Sequence, residues 1–440
     1  EIAGNFKQSR YRLARTIISF GFARLLNATR IKGLKALVST ELDLPDKIHV
    51  VGEAEQLRSL AKLGTVVLVP THFSNLDSVL IGWVIQHLGL PPFIYGAGLN
   101  LFNIGIFAYF MDSLGAYKVD RRKKNNLYLQ TLKTYSTEAL KYGCHSLFFP
   151  GGTRSRSGKI EEKLKMGLLG TALEAQRLNF VEHPDKAGKI FVVPMVLNYH
   201  FVLEAPSLIR EHLTRHGQER FYQESDEFST SYKIIKFLFK FFARGSGISV
   251  SIGKGMDLLG NYVNEQGESI DQHGRVVNTR HYFSSQGAIT KDPQRDFQYT
   301  EILGDRIVEE YHKINRVFSS HLVAFAAFQL LRKQYKKLDL FNFLRLSVEE
   351  QTIDYKSFRN SFEKLRDKVF SMYEEGKVQV AAHLTGDIDA VIDHGLFNVG
   401  LYHAKRPLLK SKEGKIVTQD LNTLYFYHNR LSGYGLENEV

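Results

Sequence analysis

Short apolar runs rich in β-branched residues alternate with helical patterns between residues 48 and 257 of this chain. The apolar runs occupy residues 48–51, 65–69, 93–95, 116–119, 146–149, 190–197 and 248–252. The helical patterns occupy residues 78–88, 126–142, 161–178 and 231–244. Strands that alternate with helices usually form one sheet whose two faces are both covered. The sequence therefore predicts an α/β fold, with a mixed central sheet of about seven strands covered by helices.

The chain divides into four predicted segments. Residues 1–48 are rich in Lys and Arg interleaved with apolar residues, which predicts a basic helical N-terminal segment. Residues 49–257 carry the alternating pattern and form the predicted α/β domain. Residues 258–298 are polar and rich in Gly and Asn, as a linker or an excursion from the fold would be. Residues 299–440 carry helical periodicity and predict a mostly helical C-terminal domain.

The composition excludes several kinds of protein. Hydrophobic residues make up 43% and charged residues 24% of the chain, which excludes a disordered or fibrous protein. A single cysteine, Cys144, excludes an intrachain disulfide framework and a cysteine-ligated zinc site, and it favours a reducing compartment. The formal net charge of +12 favours a polyanionic partner. Composition alone leaves nucleic acid, an anionic lipid surface and a phosphorylated substrate open.

The segment THFSNLD at residues 71–77 lies between a predicted strand and a predicted helix. An imidazole can take a proton from a hydroxyl group, and a carboxylate on its other ring nitrogen fixes the tautomer. We therefore interpret His72 and Asp77 as a catalytic base and its orienting carboxylate. The spacing alone also fits a helix-capping aspartate beside a histidine with a structural role.

A second cluster, FPGGTRSRSGK at residues 149–159, also follows directly after a predicted strand. Glycine backbone amides together with guanidinium groups suit a phosphate group. The loop is not a P-loop, because five residues separate Gly152 from Gly158 and Ile160 stands where Ser or Thr would bind magnesium. The alternative is a basic loop exposed to solvent. The residues predicted to contact substrate are Gly151, Gly152, Thr153, Arg154, Arg156 and Lys159.

Two further segments, GAYKVDRR at residues 115–122 and VPMVLNY at residues 193–199, complete an ordered set of four motifs. The order His-x4-Asp, Gly-x-aromatic-x-Val-Asp-Arg, Phe-Pro-x-Gly-Thr-Arg and Val-Pro-x4-Tyr resembles the successive motifs of the glycerolipid (lysophospholipid) acyltransferase superfamily. Four motifs in order are far more specific than any one of them.

Shorter segments resemble one branch of that superfamily, the glycerol-3-phosphate 1-O-acyltransferases and dihydroxyacetone-phosphate acyltransferases. They are AGLNL at 97–101, NYHFVLE at 198–204, SIGK at 251–254 and INR at 314–316. The resemblance covers about residues 50–330, with a shorter similarity at 425–431. In the second motif Arg121 matches the family's arginine, and the resemblance implies that it contacts substrate.

The chain departs from this branch in the third motif. The family usually has Glu where this chain has Gly151, and that Glu is commonly assigned to acceptor binding or site architecture. The replacement leaves open a different acceptor, a degraded enzyme, or substitution by Glu161 or Glu162.

The resemblance implies a membrane-associated O-acyltransferase. It would transfer a fatty acyl group from acyl-carrier protein or acyl-CoA to the sn-1 hydroxyl of glycerol-3-phosphate, the first step of phospholipid synthesis. His72, oriented by Asp77, would remove the hydroxyl proton as the oxygen attacks the thioester. Backbone amides of residues 151–153 would help to hold the oxyanion. The resemblance implies no metal and no cofactor apart from the thioester co-substrate.

Other functions stay open. A lysophosphatidate (1-acylglycerol-3-phosphate) acyltransferase uses the same chemistry on an already acylated acceptor. A catalytically inactive lipid-surface binding protein is motivated by Gly151, and a nucleic-acid binder by the net charge, but neither explains four ordered motifs. The expected partners are therefore glycerol-3-phosphate, an acyl thioester donor (acyl-CoA or acyl-carrier protein) and an anionic membrane surface. No nucleic-acid partner is expected.

Residues 78–111 contain no Asp, Glu, Lys or Arg. Glycines and prolines break this segment into pieces too short for one uninterrupted transmembrane helix, so we expect a buried core or a patch that dips into one leaflet. The segment KIIKFLFKFFAR at 233–244 would place apolar and basic side chains on opposite sides of a helix. Together with the basic N-terminal segment, these patterns predict a peripheral or monotopic membrane protein on the cytoplasmic face.

Overall fold

A seven-stranded mixed sheet lies at the centre of the computed structural model, which describes residues 2–3, 8–9, 48–98, 115–120, 122–216 and 247–440. The strands are β1 (Ile48–Gly52), β2 (Gly64–Pro70), β3 (Ile94–Gly98), β4 (Ala116–Val119), β5 (Ser146–Leu147), β6 (Lys189–Tyr199) and β7 (Ile248–Ile252). Their order across the sheet is β1-β7-β6-β2-β5-β3-β4. The predicted fold class is confirmed.

Burial on both faces explains why the central strands are continuous apolar runs. Every residue of β6 after Lys189 is buried, and so is every residue of β2 after Gly64. Strands β6, β2, β5, β3 and β4 run parallel, whereas β7 is antiparallel to β6 and parallel to β1. The carboxyl ends of β2, β5 and β6 therefore meet at one edge of the sheet, and the loops that follow them converge there.

Five helices accompany these strands within the described residues. They are α1 (Ala54–Leu63), α2 (Asp77–His87), α3 (Asn126–Lys141), α4 (Met166–Glu182) and α5 (Ala205–Arg215). The sequence predicted α2 and α3 to within one residue at each end, and it missed α1. Helix α4 begins later than predicted, because the backbone N–H of Lys165 donates to the carbonyl of Pro150 at 2.8 Å and holds the preceding residues in a loop.

Residues 258–298 are an ordered excursion that contains five short strands. These are β8 (Tyr262–Val263), β9 (Ser269–Ile270) and β10 (Val276–Val277) in one small sheet, and β11 (Ser284–Ser285) and β12 (Ala288–Ile289) in another. Helix α6 (Pro293–Ile314) already begins in this segment. Its start is fixed by Asp292, whose side chain accepts hydrogen bonds from the backbone N–H groups of Gln294 and Arg295.

The rest of the chain is mostly helical. Its helices are α7 (Ser319–Gln334), α8 (Leu340–Phe343), α9 (Tyr355–Glu374), α10 (Ile388–Asn398) and α11 (Leu421–His428), and its strands are β13 (Arg316–Val317), β14 (Thr352–Ile353), β15 (Gln379–Val380), β16 (Leu409–Lys410) and β17 (Ile416–Val417). Strand β13, which pairs with β15, separates α6 from α7. One buried apolar cluster joins the sheet to α7, α9, α10 and α11. The four segment boundaries stay predictions.

Helix α11 returns the chain to the carboxyl edge of the sheet. It packs against α5 and α7. In the turn that follows, Asn429 Nδ2 donates to the carbonyl of Ser157 at 2.9 Å, and buried Arg430 donates to the carbonyl of Leu197 at 2.7 Å. This edge therefore combines residues that are far apart in the sequence.

Nearly all of the predicted basic N-terminal segment lies outside the described residues, as do residues 99–111 of the uncharged segment and the basic aromatic stretch at 233–244. In the part of the chain that the structure describes, no helix is both long and apolar enough to cross a membrane.

Candidate active site

Asp77 is the first residue of α2 and is completely buried. Its Oδ2 accepts hydrogen bonds from the backbone N–H groups of Phe73 and Ser74, at 2.6 and 2.9 Å, and lies 2.8 Å from His72 Nδ1. Its Oδ1 accepts a hydrogen bond from the hydroxyl of Tyr199. An ionised carboxylate only accepts hydrogen bonds, so Nδ1 of His72 carries the ring proton and Nε2 keeps its lone pair. The structure thus brings His72 and Asp77 together in the geometry of a base and its orienting group.

The turn that carries His72 is held on two sides. Before it, Thr71 donates its backbone N–H to the carbonyl of Met195 at 2.9 Å. The carbonyl of His72 accepts from the backbone N–H of Ser155 at 2.7 Å. The imidazole stacks on the ring of Phe149, with centroids 4.0 Å apart, and 12% of the side chain is exposed. The ring is therefore fixed in orientation and still reaches solvent.

Tyr199, the last residue of β6, supports Asp77 from the opposite side. Burial, together with the Asp77 carboxylate, raises the pKa of Tyr199 well above its ordinary value. The phenol consequently stays protonated and donates to Asp77.

The loop at residues 149–159 is shaped by two glycines in the left-handed region, Gly152 at φ 77° and Gly158 at φ 85°. A Cβ on Gly158 would lie 2.1 Å from the carbonyl oxygen of Phe426 in α11, so only glycine allows this close approach. The backbone N–H of Gly152 donates to the carbonyl of Phe149 at 2.9 Å. This amide is engaged within the loop, which speaks against its predicted contact with an oxyanion.

The three cations predicted to bind phosphate each lie beside a carboxylate of the protein. Arg154 Nη1 is 3.2 Å from Glu204 Oε1, and Arg156 Nε is 2.8 Å from Glu211 Oε1. Lys159 Nζ is 3.2 Å from Glu162 Oε1. Arg156 also donates from Nη1 to the hydroxyl of Thr153 at 3.0 Å.

A cleft of about 320 Å³ lies against these cations. Its basic lining comes from the loop, from helix α5 and from residues just after each of them, and consists of Arg154, Arg156, Lys159, Lys163, Arg215, His212 and His216. The carboxylates of Glu161 and Glu162 also line it, and burial lowers the pKa of His212 to about 4, so that ring is neutral near pH 7. Cations outnumber the neighbouring carboxylates here, so the cleft suits an anion. Sequence reasoning did not foresee that α5 contributes to it.

Buried Glu204 connects the two sequence clusters. Its Oε1 accepts from the backbone N–H of Asn75 at 2.9 Å and pairs with Arg154, and its Oε2 accepts from the hydroxyl of Ser74 at 3.1 Å. The turn with His72 and the loop with the arginines are thereby held in one arrangement. Glu204 belongs to a segment that carries the resemblance, but its sequence position gave no sign of this role.

Arg430 reaches the site from the turn after α11. Its guanidinium carbon lies 3.9 Å above the ring of Phe73, and its Nη2 donates to the carbonyl of Leu197. Burial lowers the pKa of Arg430 to about 10, so it remains a cation at neutral pH. Arg430 lies in the segment 425–431 that shares the resemblance, but only the three-dimensional structure shows that it reaches the site. Arg121, which the resemblance predicted to contact substrate, lies outside the described residues.

Among the described residues, the nitrogens of His200, His383 and His394 lie within 4.8 Å of one another, close enough to suggest a metal site. However, His383 Nε2 accepts a hydrogen bond from the backbone N–H of Ser319 at 3.1 Å. The proton of the neutral ring is then on Nδ1, which has no lone pair left for a metal. Burial lowers the pKa of His383 to about 4, so the ring is neutral near pH 7. The expectation of no metal stays a prediction.

Residues 49–198 match the family model of the acyltransferases. The match supports an acyltransferase domain in this part of the chain. The domain contains His72, Asp77 and the whole loop at residues 149–159. The chain is also similar to the crystal structure of the 1-acyl-sn-glycerophosphate (LPA) acyltransferase of Thermotoga maritima, with 14% sequence identity and a TM-score of 0.28, over 69% of this chain and 97% of that chain. The coarser prediction of an acyltransferase is confirmed, and the narrower branch stays a prediction.

Proposed function

We propose that this protein is an O-acyltransferase that transfers a fatty acyl group from a thioester donor, acyl-carrier protein or acyl-CoA, to the sn-1 hydroxyl of glycerol-3-phosphate. The observation that carries the proposal is the fixed His72 imidazole at one end of a loop whose other end lines a basic cleft. Phe149 begins that loop and stacks on His72, and Arg154 and Arg156 follow in it. A small acceptor that carries both a phosphate and a hydroxyl group fits this arrangement.

The proposed reaction is a direct transfer with one proton moving through His72. Nε2 of His72 takes the proton of the acceptor hydroxyl while the oxygen forms a bond to the thioester carbonyl carbon. The carbon–sulfur bond then breaks, and the leaving thiolate accepts the proton that Nε2 took from the acceptor hydroxyl. Asp77 stabilises the imidazolium that forms between these events, because its carboxylate already accepts the Nδ1 proton.

The phosphate of the acceptor would replace carboxylates of the protein as a partner of the arginines. Glu211 is half exposed and can release Arg156 at little cost, because exposed ion pairs are worth at most about 1 kcal/mol. Glu204 is buried and holds Arg154 in place. Arg156 is therefore the mobile phosphate ligand in this proposal, and Arg154 is the fixed one.

The direct test is acyl transfer by the purified protein. Labelled glycerol-3-phosphate and 1-acylglycerol-3-phosphate should be offered separately, each with acyl-CoA and with acyl-carrier protein as donor. We expect product from glycerol-3-phosphate with the acyl group on the sn-1 oxygen. Transfer to 1-acylglycerol-3-phosphate alone would replace the proposed acceptor, and no transfer to either would contradict the proposed activity.

We also propose a peripheral or monotopic location on the cytoplasmic face of an anionic membrane. The net charge supports this, as does the start of α3, where Leu127 is 80% exposed and follows Arg122, Lys123 and Lys124. Each cation near an anionic surface contributes about 1 kcal/mol, and an exposed leucine adds apolar contact.

Vesicle flotation tests this location. The protein should float with anionic vesicles, less so at high salt, and removal of residues 1–36 should weaken binding to anionic vesicles more than to neutral ones. Lys123→Glu with Lys124→Glu should also weaken it, whereas Lys412→Glu with Lys415→Glu, on the exposed turn between β16 and β17, provides the charge-matched control. Equal effects of the two pairs would contradict a contact at α3.

A further inference from the structure

Gly151 leaves a space that another side chain fills. Its φ lies outside the left-handed region, so its backbone would accept any residue. A Cβ built on Gly151 would nevertheless lie 2.9 Å from both Cγ and Oε1 of Glu161. Real Cβ atoms are not found so close to such neighbours, and the side chain of Glu161 therefore occupies the volume that a side chain at position 151 would need.

The carboxylate of Glu161 has one oxygen engaged and one without a partner. Oε1 accepts a hydrogen bond from the backbone N–H of His72 at 3.2 Å. Oε2 is buried and has no hydrogen-bond partner among the described residues. Buried polar atoms are rarely left unpaired, so an oxygen in this position calls for a donor that the described residues do not supply.

The charges around Glu161 place it in the same polar cluster as the dyad. The charge of Arg430 favours the ionised form of Glu161, whereas burial and the nearby Asp77 disfavour it. Burial is the largest of these influences, and the pKa of Glu161 is raised to about 7. Arg430 has a buried Nε without a partner among the described residues, so an unpaired donor lies in the same cluster as the unpaired acceptor Oε2.

We propose that Glu161 is the acidic residue of the acceptor site, with Oε1 positioning the His72 peptide and Oε2 receiving a hydrogen bond from an alcohol group of the acceptor. This inference rests on the function proposed above. A hydroxyl group donates one hydrogen and accepts others, so it can satisfy Oε2 and also take a hydrogen bond from Arg430. The carboxylate thus reaches the site from position 161, and the absence of a side chain at Gly151 leaves the volume that it occupies.

The adjacent acid, Glu162, does not fit this role. It is exposed, and its carboxylate pairs with Lys159 at 3.2 Å. It shares its chemistry and its loop with Glu161 but has no contact with the His72 turn among the hydrogen bonds of the described residues. Glu162→Gln is therefore the matched control for Glu161→Gln.

The first experiment compares these two variants. Glu161→Gln keeps the volume of the side chain and the acceptor for the His72 N–H, but its amide nitrogen cannot accept a hydrogen bond from an alcohol. We expect kcat/KM for glycerol-3-phosphate to fall roughly 10- to 100-fold, with the donor KM unchanged, as for the loss of one buried hydrogen bond. Glu162→Gln should keep the wild-type kcat and donor KM. A Glu161→Gln protein with wild-type acceptor kinetics would overturn the proposal.

A carboxylate exchange tests whether positions 151 and 161 share one space. Gly151→Glu alone should lower both the melting temperature and activity, because its Cβ collides with Glu161. Glu161→Ala alone should lower activity. The double variant Gly151→Glu with Glu161→Ala should melt above Gly151→Glu and recover at least tenfold in kcat/KM over Glu161→Ala.

The outcomes separate this inference from the proposed function. If the wild-type protein transfers acyl groups but the double variant gains nothing over Glu161→Ala, the role of Glu161 is wrong and the proposed function stands. If the wild-type protein transfers to neither phosphorylated acceptor, the proposed function fails and the acceptor role fails with it. The melting temperatures report the shared space in either case.

Discussion

The two carboxylate oxygens of Asp77 connect three structural elements through hydrogen bonds. The turn after β2 supplies His72 and two backbone N–H groups, α2 supplies Asp77 itself, and β6 supplies the hydroxyl of Tyr199. A carboxylate held by this many donors cannot rotate freely, so the imidazole that it holds has one tautomer and one orientation.

Replacement of either dyad residue should therefore reduce transfer by different amounts. His72→Ala is expected to abolish it and Asp77→Asn to leave a small residual rate, because general-base contributions are typically about 100- to 10,000-fold. Steady-state transfer assays on proteins whose circular dichroism matches the wild type provide the measurement. A folded His72→Ala protein with near-normal turnover would remove the proposed mechanism.

The two arginines should behave differently although both raise the acceptor KM. Arg156→Ala should leave stability nearly unchanged, because Glu211 is half exposed. Arg154→Ala should also lower the melting temperature, because Glu204 is 3% exposed and would lose its guanidinium partner. Adding Glu204→Gln to Arg154→Ala should restore part of that stability without restoring the acceptor KM. If Arg156→Ala weakened donor and acceptor equally, collapse of the loop would explain it better than loss of a phosphate contact.

At the scale of elements, the sequence predicted strands and long helices well because their burial is encoded locally. β6 is apolar along its length since both its faces are covered, so its residues identify it without knowledge of its neighbours. Helix α1 has only ten residues and buries only Leu57 and Leu60, so its length, rather than its periodicity, makes it hard to recognise. Contacts between distant segments have no such local signal. The pairing of His72 with Asp77 was predictable from their separation of five positions. Glu161 was one of two candidates to replace the acid missing at Gly151, and Arg430 lay in a segment that shares the resemblance, but the contacts that bring them to the site were not predictable.

The packing of α11 on the loop at residues 149–159 can be tested with a pair of glycines. Gly158 and Gly143 have nearly the same φ, 85° and 81°, but only Gly158 has the Phe426 carbonyl in the way of a Cβ. Gly143→Ala should cost about 1 kcal/mol of unfolding free energy, from the left-handed backbone alone. Gly158→Ala should cost at least about 2 kcal/mol more and reduce activity. Urea unfolding of both variants measures the difference, and equal losses would mean that α11 does not pack as described.

At the scale of the whole molecule, buried histidines set a limit on stability in acid. Burial lowers the pKa of His321 and His403 to about 3 and of His428 to about 4, from about 6.5 in the unfolded chain. The unfolded chain therefore binds protons below pH 6.5 that the folded protein does not. The stability from these three groups is complete above pH 6.5 and is lost as the pH falls toward 4.

Urea unfolding at pH 7 and pH 5 should show this loss. These three histidines give about 6 kcal/mol over that interval, and Glu161, whose pKa is raised, opposes them with about 2 kcal/mol. Burial also lowers the pKa of His200, His212 and His383, which adds to the loss, so the net loss is at least about 4 kcal/mol. His403→Gln should flatten the dependence. A free energy of unfolding that stayed constant or rose between pH 7 and pH 5 would contradict the burial of these rings.

The hydrogen bond from Arg430 to the carbonyl of Leu197 can form only after residue 430 has been synthesised. A ribosome that adds about 5 to 20 residues per second needs roughly 20 to 70 s to travel from position 72 to position 430. During that interval the nascent chain lacks the guanidinium that lies over the ring of Phe73. The complete arrangement of the candidate site, on which the proposed acyl transfer depends, is therefore reached only late in translation.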